Sequence, residues 1–159
     1  MNVTSAQLAQ IAGGRPDKSN INSIVVALTE YGPKTGLDKP HRLAQFIAQI
    51  AHESGGLKYD REIWGPTAAQ RGYEGRKDLG NTVKGDGKKL AGRGPIQLTG
   101  RGNVTRFHKW CVAEGLDPPD FIKTPDLINT DPWEGLSAIW YWHVGNPTGK
   151  SLNVFADKN

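Results

Sequence analysis

Apolar positions recur along this chain at helical spacing in several places and lose their rhythm in one long stretch. Residues 40–53, "PHRLAQFIAQIAHE", put Leu43, Phe46, Ile47 and Ile50 at i, i+3, i+4 and i+7, one face of a helix that begins after Pro40. Ile21, Ile24, Val25, Leu28 and Tyr31 predict an earlier helix, started by Asn20 or Asn22 and stopped by Gly32-Pro33. Thr4 or Ser5 is placed to cap a short first helix, "AQLAQIA", which Gly13-Gly14 would end. "VTRFHKWCVAEG" predicts a helix closing at Gly115. "PWEGLSAIWYWHVG" begins on a proline suited to a first helical position and ends on a glycine, with Trp140, Tyr141 and Trp142 assigned mainly to the core.

Residues 57–91 carry little sustained period. They contain Pro66, six glycines and a "KGDGKK" turn, and predict irregular structure with one short helix around Thr67–Gln70. A loop of that length inside a small domain is usually functional. In "GRGPIQLTGRGN", residues 92–103, the alternation of "IQLT" predicts a short strand with Gln97 and Thr99 on the same side. "DPPDFIKTPDLINTD" is a proline-punctuated connection. The pattern as a whole predicts a single, mainly α domain over residues 1–159 with at most a small β element.

Charge and cysteine content narrow the function classes. With 20 Lys and Arg against 16 Asp and Glu, the net charge is +4, a modest excess favouring anionic partners such as nucleic acid, a bacterial envelope or a phospholipid surface. The basic residues are dispersed, so nucleic-acid binding through Arg93, Arg101 and Arg106 is a minor reading. No stretch approaches a membrane span of about 18 apolar residues, and the N-terminus reads as neither a basic leader nor an apolar signal. The single Cys111 excludes an internal disulfide, suits a small packing residue and fits synthesis in a reducing cytoplasm. His41, His52, His108 and His143 show no metal-ligand spacing, and the chain has no H-E-x-x-H, phosphate-loop or G-x-S-x-G motif. No metal or organic cofactor is expected.

"AHESGG", residues 51–56, places Glu53 in the last turn of the helix predicted over 40–53. A lysine or arginine would complement the dipole better there. At 100° per residue, Glu53 falls about 80° from the centre of the apolar stripe, at the margin of the buried face. Partial burial and the helix C-terminus would both favour the neutral acid, as a general acid requires. Glu62 lies nine residues on, in "KYDREIW", and a reversal at Gly55-Gly56 could bring it back towards Glu53. Asp60, Glu74 and Asp78 are rival second carboxylates. A carboxylate pair roughly 6.5–9.5 Å apart defines an inverting glycosidase, and one about 5 Å apart a retaining glycosidase.

In their order along residues 40–143, "AHESGG", the glutamate nine residues later, "GRGPIQLTGRGN" and "TPDLINTDPWEGLSAIWYW" resemble glycoside hydrolase family 19. That family includes plant-type chitinases and bacteriophage endolysins, and the missing signal and disulfides resemble the phage and prophage branch. The resemblance implies a lysozyme-like bilobed helical domain with its catalytic cleft between lobes. It also implies Glu53 as general acid, Glu62 as general base and Thr99 as the hydroxyl that positions water, with His52, Gln97 and Asn103 binding sugar or supporting the acid. The implied reaction inverts anomeric configuration without a metal or cofactor. The expected function is that of an endolysin cleaving β-1,4 bonds of bacterial peptidoglycan. It would act as a monomer, made in the host cytoplasm and released to the wall by a separate membrane-permeabilising protein. The alternatives are a chitinase of the same fold, or a non-catalytic cell-wall-binding or phage structural protein. Two departures stand out: Val104 replaces the family's frequent tyrosine, and no Asn-Gly-Gly segment follows the "AIWYW" helix, so a shortened domain is expected.

Overall fold

The computed structural model describes residues 3–158. Helix α1, Ser5–Ala12, opens on Thr4, whose hydroxyl accepts from the Gln7 N–H while the Gln7 amide oxygen accepts from the Thr4 N–H. This reciprocal box satisfies two of the free donors at the helix start. Helix α2, Lys18–Thr35, starts instead on Asp17, whose carboxylate accepts from the N–H groups of Ser19 and Asn20. It also runs through the expected stop. Pro33 lacks an N–H, but Thr35 donates its hydroxyl to the Tyr31 carbonyl at 2.9 Å, and Gly36 takes the left-handed conformation that closes the turn. The extra turn buries Thr35 and Leu37, a gain that outweighs one missing bond near a helix end.

Helix α3, Pro40–Glu53, has proline in its first turn and buries the four positions read from the pattern, Leu43, Phe46, Ile47 and Ile50. Residues 57–91 hold a short α4, Ala68–Arg71, capped by Thr67, then a 3₁₀ turn at Lys77–Leu79 and a single-turn α5, Asp86–Lys89. Helix α6, Arg101–Ala113, is followed by the predicted connection with its 3₁₀ turn at Pro125–Asn129. Helix α7, Trp133–Trp140, continues as a wider turn over Tyr141–Gly145, and α8, Asn153–Ala156, completes the described chain.

The core forms around α2 and α7. The Gly135 N–H donates to the Ser23 hydroxyl at 3.0 Å, and a Cβ at Gly135 would collide with the Ser23 carbonyl, so only glycine permits this approach. Phe107 of α6 stacks on Phe121 at 5.4 Å and tilts against Trp140 at 5.6 Å, which joins the connection to the helices. Trp142 sets its edge against Phe46 and donates its indole N–H to Asn153. Trp140 and Trp142 are buried as expected, and Tyr141 is half-buried.

The strand expected at "IQLT" does not form. Gly94–Gln97 is a turn closed by paired bonds between Arg93 and Leu98, and Gln97 adopts a positive φ of 56°. Only isolated bridges, Arg61 to Arg93 and Arg93 to Leu98, occur among the described residues, so the fold is all-helical without a sheet. The alternation failed as a signal because a strand needs a partner of matching length, and here the chain turns after two residues have paired.

Candidate active site

The site begins where α3 ends. Ser54 donates its hydroxyl to the Ile50 carbonyl at 2.6 Å and accepts the Leu57 N–H at 2.9 Å. Gly55, Gly56 and Leu57 then follow with φ of 60°, 76° and 57°, three successive left-handed residues that reverse the chain. Glycine occupies that conformation freely, whereas Leu57 is held there by burial at 1% exposure. Its carbonyl also accepts from the Asp17 N–H and the Asn20 amide, which ties the reversal to the start of α2.

After the reversal, residues 59–63 form the wall of an open groove of about 280 Å³ lined by Glu53, Tyr59, Arg61, Ile63 and Gln97. Glu53 is exposed, not at the buried margin expected of it, because the last turn of α3 projects past the core that its apolar stripe covers. The Gln49 amide, one turn back, donates to Glu53 Oε1 at 2.9 Å. His52 is exposed beside it.

Glu62 is half-buried between two groove residues and turns towards α4 and the "GRG" loop. Its Oε1 accepts from the Gln70 amide at 2.9 Å and from the Tyr73 hydroxyl at 3.2 Å, and its Oε2 accepts from the Gly92 N–H at 3.1 Å. Its own N–H donates to the Gly92 carbonyl at 2.9 Å. Burial, and then the adjacent Glu62 carboxylate, raise the Tyr73 pKa above the ordinary phenol value, which keeps this hydroxyl a donor. Gly92 also packs directly on Gln97, where a Cβ would meet the amide oxygen at 2.5 Å. One glycine therefore links Glu62 to the groove-lining Gln97.

The remaining residues of the pattern lie in the same loop and in the first turn of α6 that follows it. Thr99, half-buried, donates its hydroxyl to the Gln97 carbonyl at 2.8 Å, which leaves the oxygen's lone pairs free to accept. Asn103, in the first turn of α6, donates its amide to the Thr99 carbonyl at 2.7 Å and accepts from Arg106. Val104 is 1% exposed, so the departure from tyrosine fills core and not a sugar-facing surface.

The rival carboxylates are engaged elsewhere. Glu74 accepts the N–H groups of Gly85 and Gly87, Asp78 is forked by Arg76, and Asp60 pairs with Arg61 at 3.5 Å. Arg93 and Arg101, considered for nucleic acid, pair with Asp126 and Asp86. The Cys111 thiol is fully buried and burial pushes it up to about 12, so it packs as an inert small side chain. Among the described residues no group of three or more His, Cys, Asp or Glu could hold a metal ion, and no helix is long and apolar enough to cross a membrane.

Sequence reading missed Gln70, Tyr73, Tyr59, Arg61 and Ile63. These lie in the aperiodic stretch, where spacing says nothing about which residues meet.

No family model matches the chain. A glycosyl hydrolase family 19 domain-containing protein of Haemophilus influenzae is 29% identical over 152 residues, covering 77% of this chain and 71% of that protein. An endochitinase of Pisum sativum is 35% identical over 115 residues, covering 65% of this chain but only 33% of its own length. Among solved structures, a bacterial family 19 chitinase superposes with a TM-score of 0.65 at 28% identity, over 89% of this chain and 67% of that one. Chitinase C from Streptomyces griseus gives 0.61 at 25% identity, over 88% of this chain and 54% of that one. The chain spans about a third of the pea enzyme and about half of chitinase C. In sequence and in its all-helical fold, the chain is similar to glycosyl hydrolase family 19, chitinase-like proteins. The chain is homologous to family 19 chitinases, which are glycoside hydrolases.

Proposed function

We propose that this domain hydrolyses β-1,4 bonds in a chitin-type polymer of N-acetylated sugars, by direct attack of water. The observation that carries the reading is the groove itself. It is open to solvent, carries an unburied carboxyl at one side, and has a wall that continues into a second carboxyl gripped by three donors.

Glu53 is the general acid. Its carboxyl lines the groove, within reach of the leaving oxygen of a bound sugar, which it protonates. Glu62 is the general base, its side chain oriented by the Gln70, Tyr73 and Gly92 donors. Thr99, having spent its proton on the Gln97 carbonyl, accepts a hydrogen bond from the attacking water and orients it. Gln97, His52 and Asn103 bind sugar or support the acid, and Tyr59 offers an exposed ring to a sugar face.

A second reading is bacterial peptidoglycan, whose glycan is also β-1,4-linked and N-acetylated but carries acidic peptides. The half-exposed Arg61 guanidinium in the groove and the net charge of +4 favour it. In that case the protein is an endolysin that reaches the wall with help from a separate membrane-permeabilising protein. Digestion of chitin oligomers and of purified peptidoglycan in parallel, with mass analysis of the new reducing ends, separates the two. Glu53→Gln is expected to lose at least about 100-fold in kcat on the glycan that the wild type cleaves, at unchanged Tm. Full activity in that variant would sink the assignment.

A further inference from the structure

Gln70 is the most fully engaged side chain around Glu62. It is 3% exposed, and its amide makes four bonds. Oε1 accepts the N–H groups of Gly65 at 3.0 Å and Thr67 at 2.8 Å, and Nε2 donates to Glu62 Oε1 at 2.9 Å and to the Ile63 carbonyl at 2.8 Å. Because two N–H donors face one end and two acceptors face the other, the amide can sit only one way round. All its bonds fall within residues 62–67, the segment carrying Glu62. No fully buried apolar side chain lies between Leu57 and Leu90 among the described residues, so hydrogen bonds carry much of the work of fixing that segment in place. Tyr73 adds a second donor to the same carboxylate oxygen from beyond α4, and its ring leans on Trp64 at 6.4 Å.

We propose that Gln70, seconded by Tyr73, is the positioning residue of this site. It aims the Glu62 carboxylate while fixing the backbone on either side. This rests on the reading of Glu62 as general base. A hydrogen bond donated to a carboxylate stabilises the charged form, so removing one, or replacing it with a competing acid, makes Glu62 hold its proton to higher pH. Gln70→Glu keeps the acceptor for Gly65 and Thr67 but sets a carboxyl against Glu62. Tyr73→Phe deletes one hydroxyl and leaves the Gln70 bonds intact.

The test is an NMR titration of the Glu62 side-chain carboxyl carbon in the wild type, Gln70→Glu and Tyr73→Phe, with kcat/KM against pH on the glycan that the wild type cleaves. The Glu62 midpoint is expected to rise by about one pH unit in Gln70→Glu and by a smaller step in Tyr73→Phe. The acid limb of the rate profile should follow, with kcat falling about tenfold at neutral pH and KM holding. If both variants titrate and turn over as the wild type does, the inference is overturned. Glu62→Gln serves as the control. If that variant stays active, the base assignment fails, while the NMR midpoints still decide whether Gln70 governs the carboxylate. Should Gln70→Glu not fold, Tyr73→Phe decides alone, an unmoved midpoint counting against the proposal.

Discussion

Glu134 is a buried carboxyl outside the proposed mechanism. It sits in the first turn of α7 at 1% exposure, with Oε1 buried and without a hydrogen-bond partner. Burial first, and then the charges of Asp60, Asp131 and Asp17, push it up to about 8, while Arg61 pulls the other way. Folded protein therefore keeps this proton across a range in which the unfolded chain, ionising near 4.5, has lost it. Stability should fall as pH rises from about 4.5 to about 8 and then level off. Glu134→Gln removes that slope. In denaturant melts, the variant's advantage over the wild type should grow by roughly 2–4 kcal/mol between pH 5 and pH 8. A pH-independent difference would mean that Glu134 is ionised in the fold. Nothing in the sequence marked this residue except a glutamate inside an apolar run, and that run does not say which neighbours close over it.

At the scale of elements, the helices and the loop are held by different forces. Helix α7, buried on nearly every side, was marked by its proline start and glycine end, whereas α2 and α3 have apolar stripes and followed from spacing. Their ends did so less faithfully: α2 overran Pro33 because Leu37 and Thr35 gain burial beyond it. The stretch from 58 to 89 is organised by buried polar side chains, Gln70, Asn81 and Asp86. Asn81 bridges the Tyr73 carbonyl to the N–H of Arg101, and Asp86 accepts a two-pronged bond from Arg101 and a third from the Val83 N–H. The Arg101 hydrogen bonds hold the Asp86 carboxyl below its ordinary value. This pair contributes stability above the usual aspartate range and loses it as pH falls through the depressed folded value. Asp86→Asn leaves Arg101 without its charged partner and should cost about 2–4 kcal/mol at pH 7, a penalty that shrinks in acid. Chemical melts at pH 7 and pH 3 check both the size and the direction.

Across the whole molecule, that division predicts uneven stability. Backbone amides of α2 and α7, around Ile24, Ala27, Leu136 and Ile139, are packed in the apolar core and should exchange only on global unfolding. Those of residues 62–85, without a fully buried apolar side chain, should open at a free energy several kcal/mol lower, taking the wall that bears Glu62 with them. Hydrogen exchange read by mass spectrometry tests this, and equal protection in both regions would contradict it.

The sequence by itself determined the helices with a continuous apolar face, the mainly α class and the motif order from "AHESGG" through "GRGPIQLTGRGN". It could do so because helical period and glycine reversals are local properties, carried by neighbours within a few residues. Only the tertiary structure decided that "IQLT" turns instead of pairing, that Glu53 stands in water at the rim of a groove, and that Glu62 is gripped by Gln70, Tyr73 and Gly92. Those outcomes depend on contacts between residues far apart in the chain, such as the 30 positions from Glu62 to Gly92, made by single hydrogen bonds whose partners no periodicity announces.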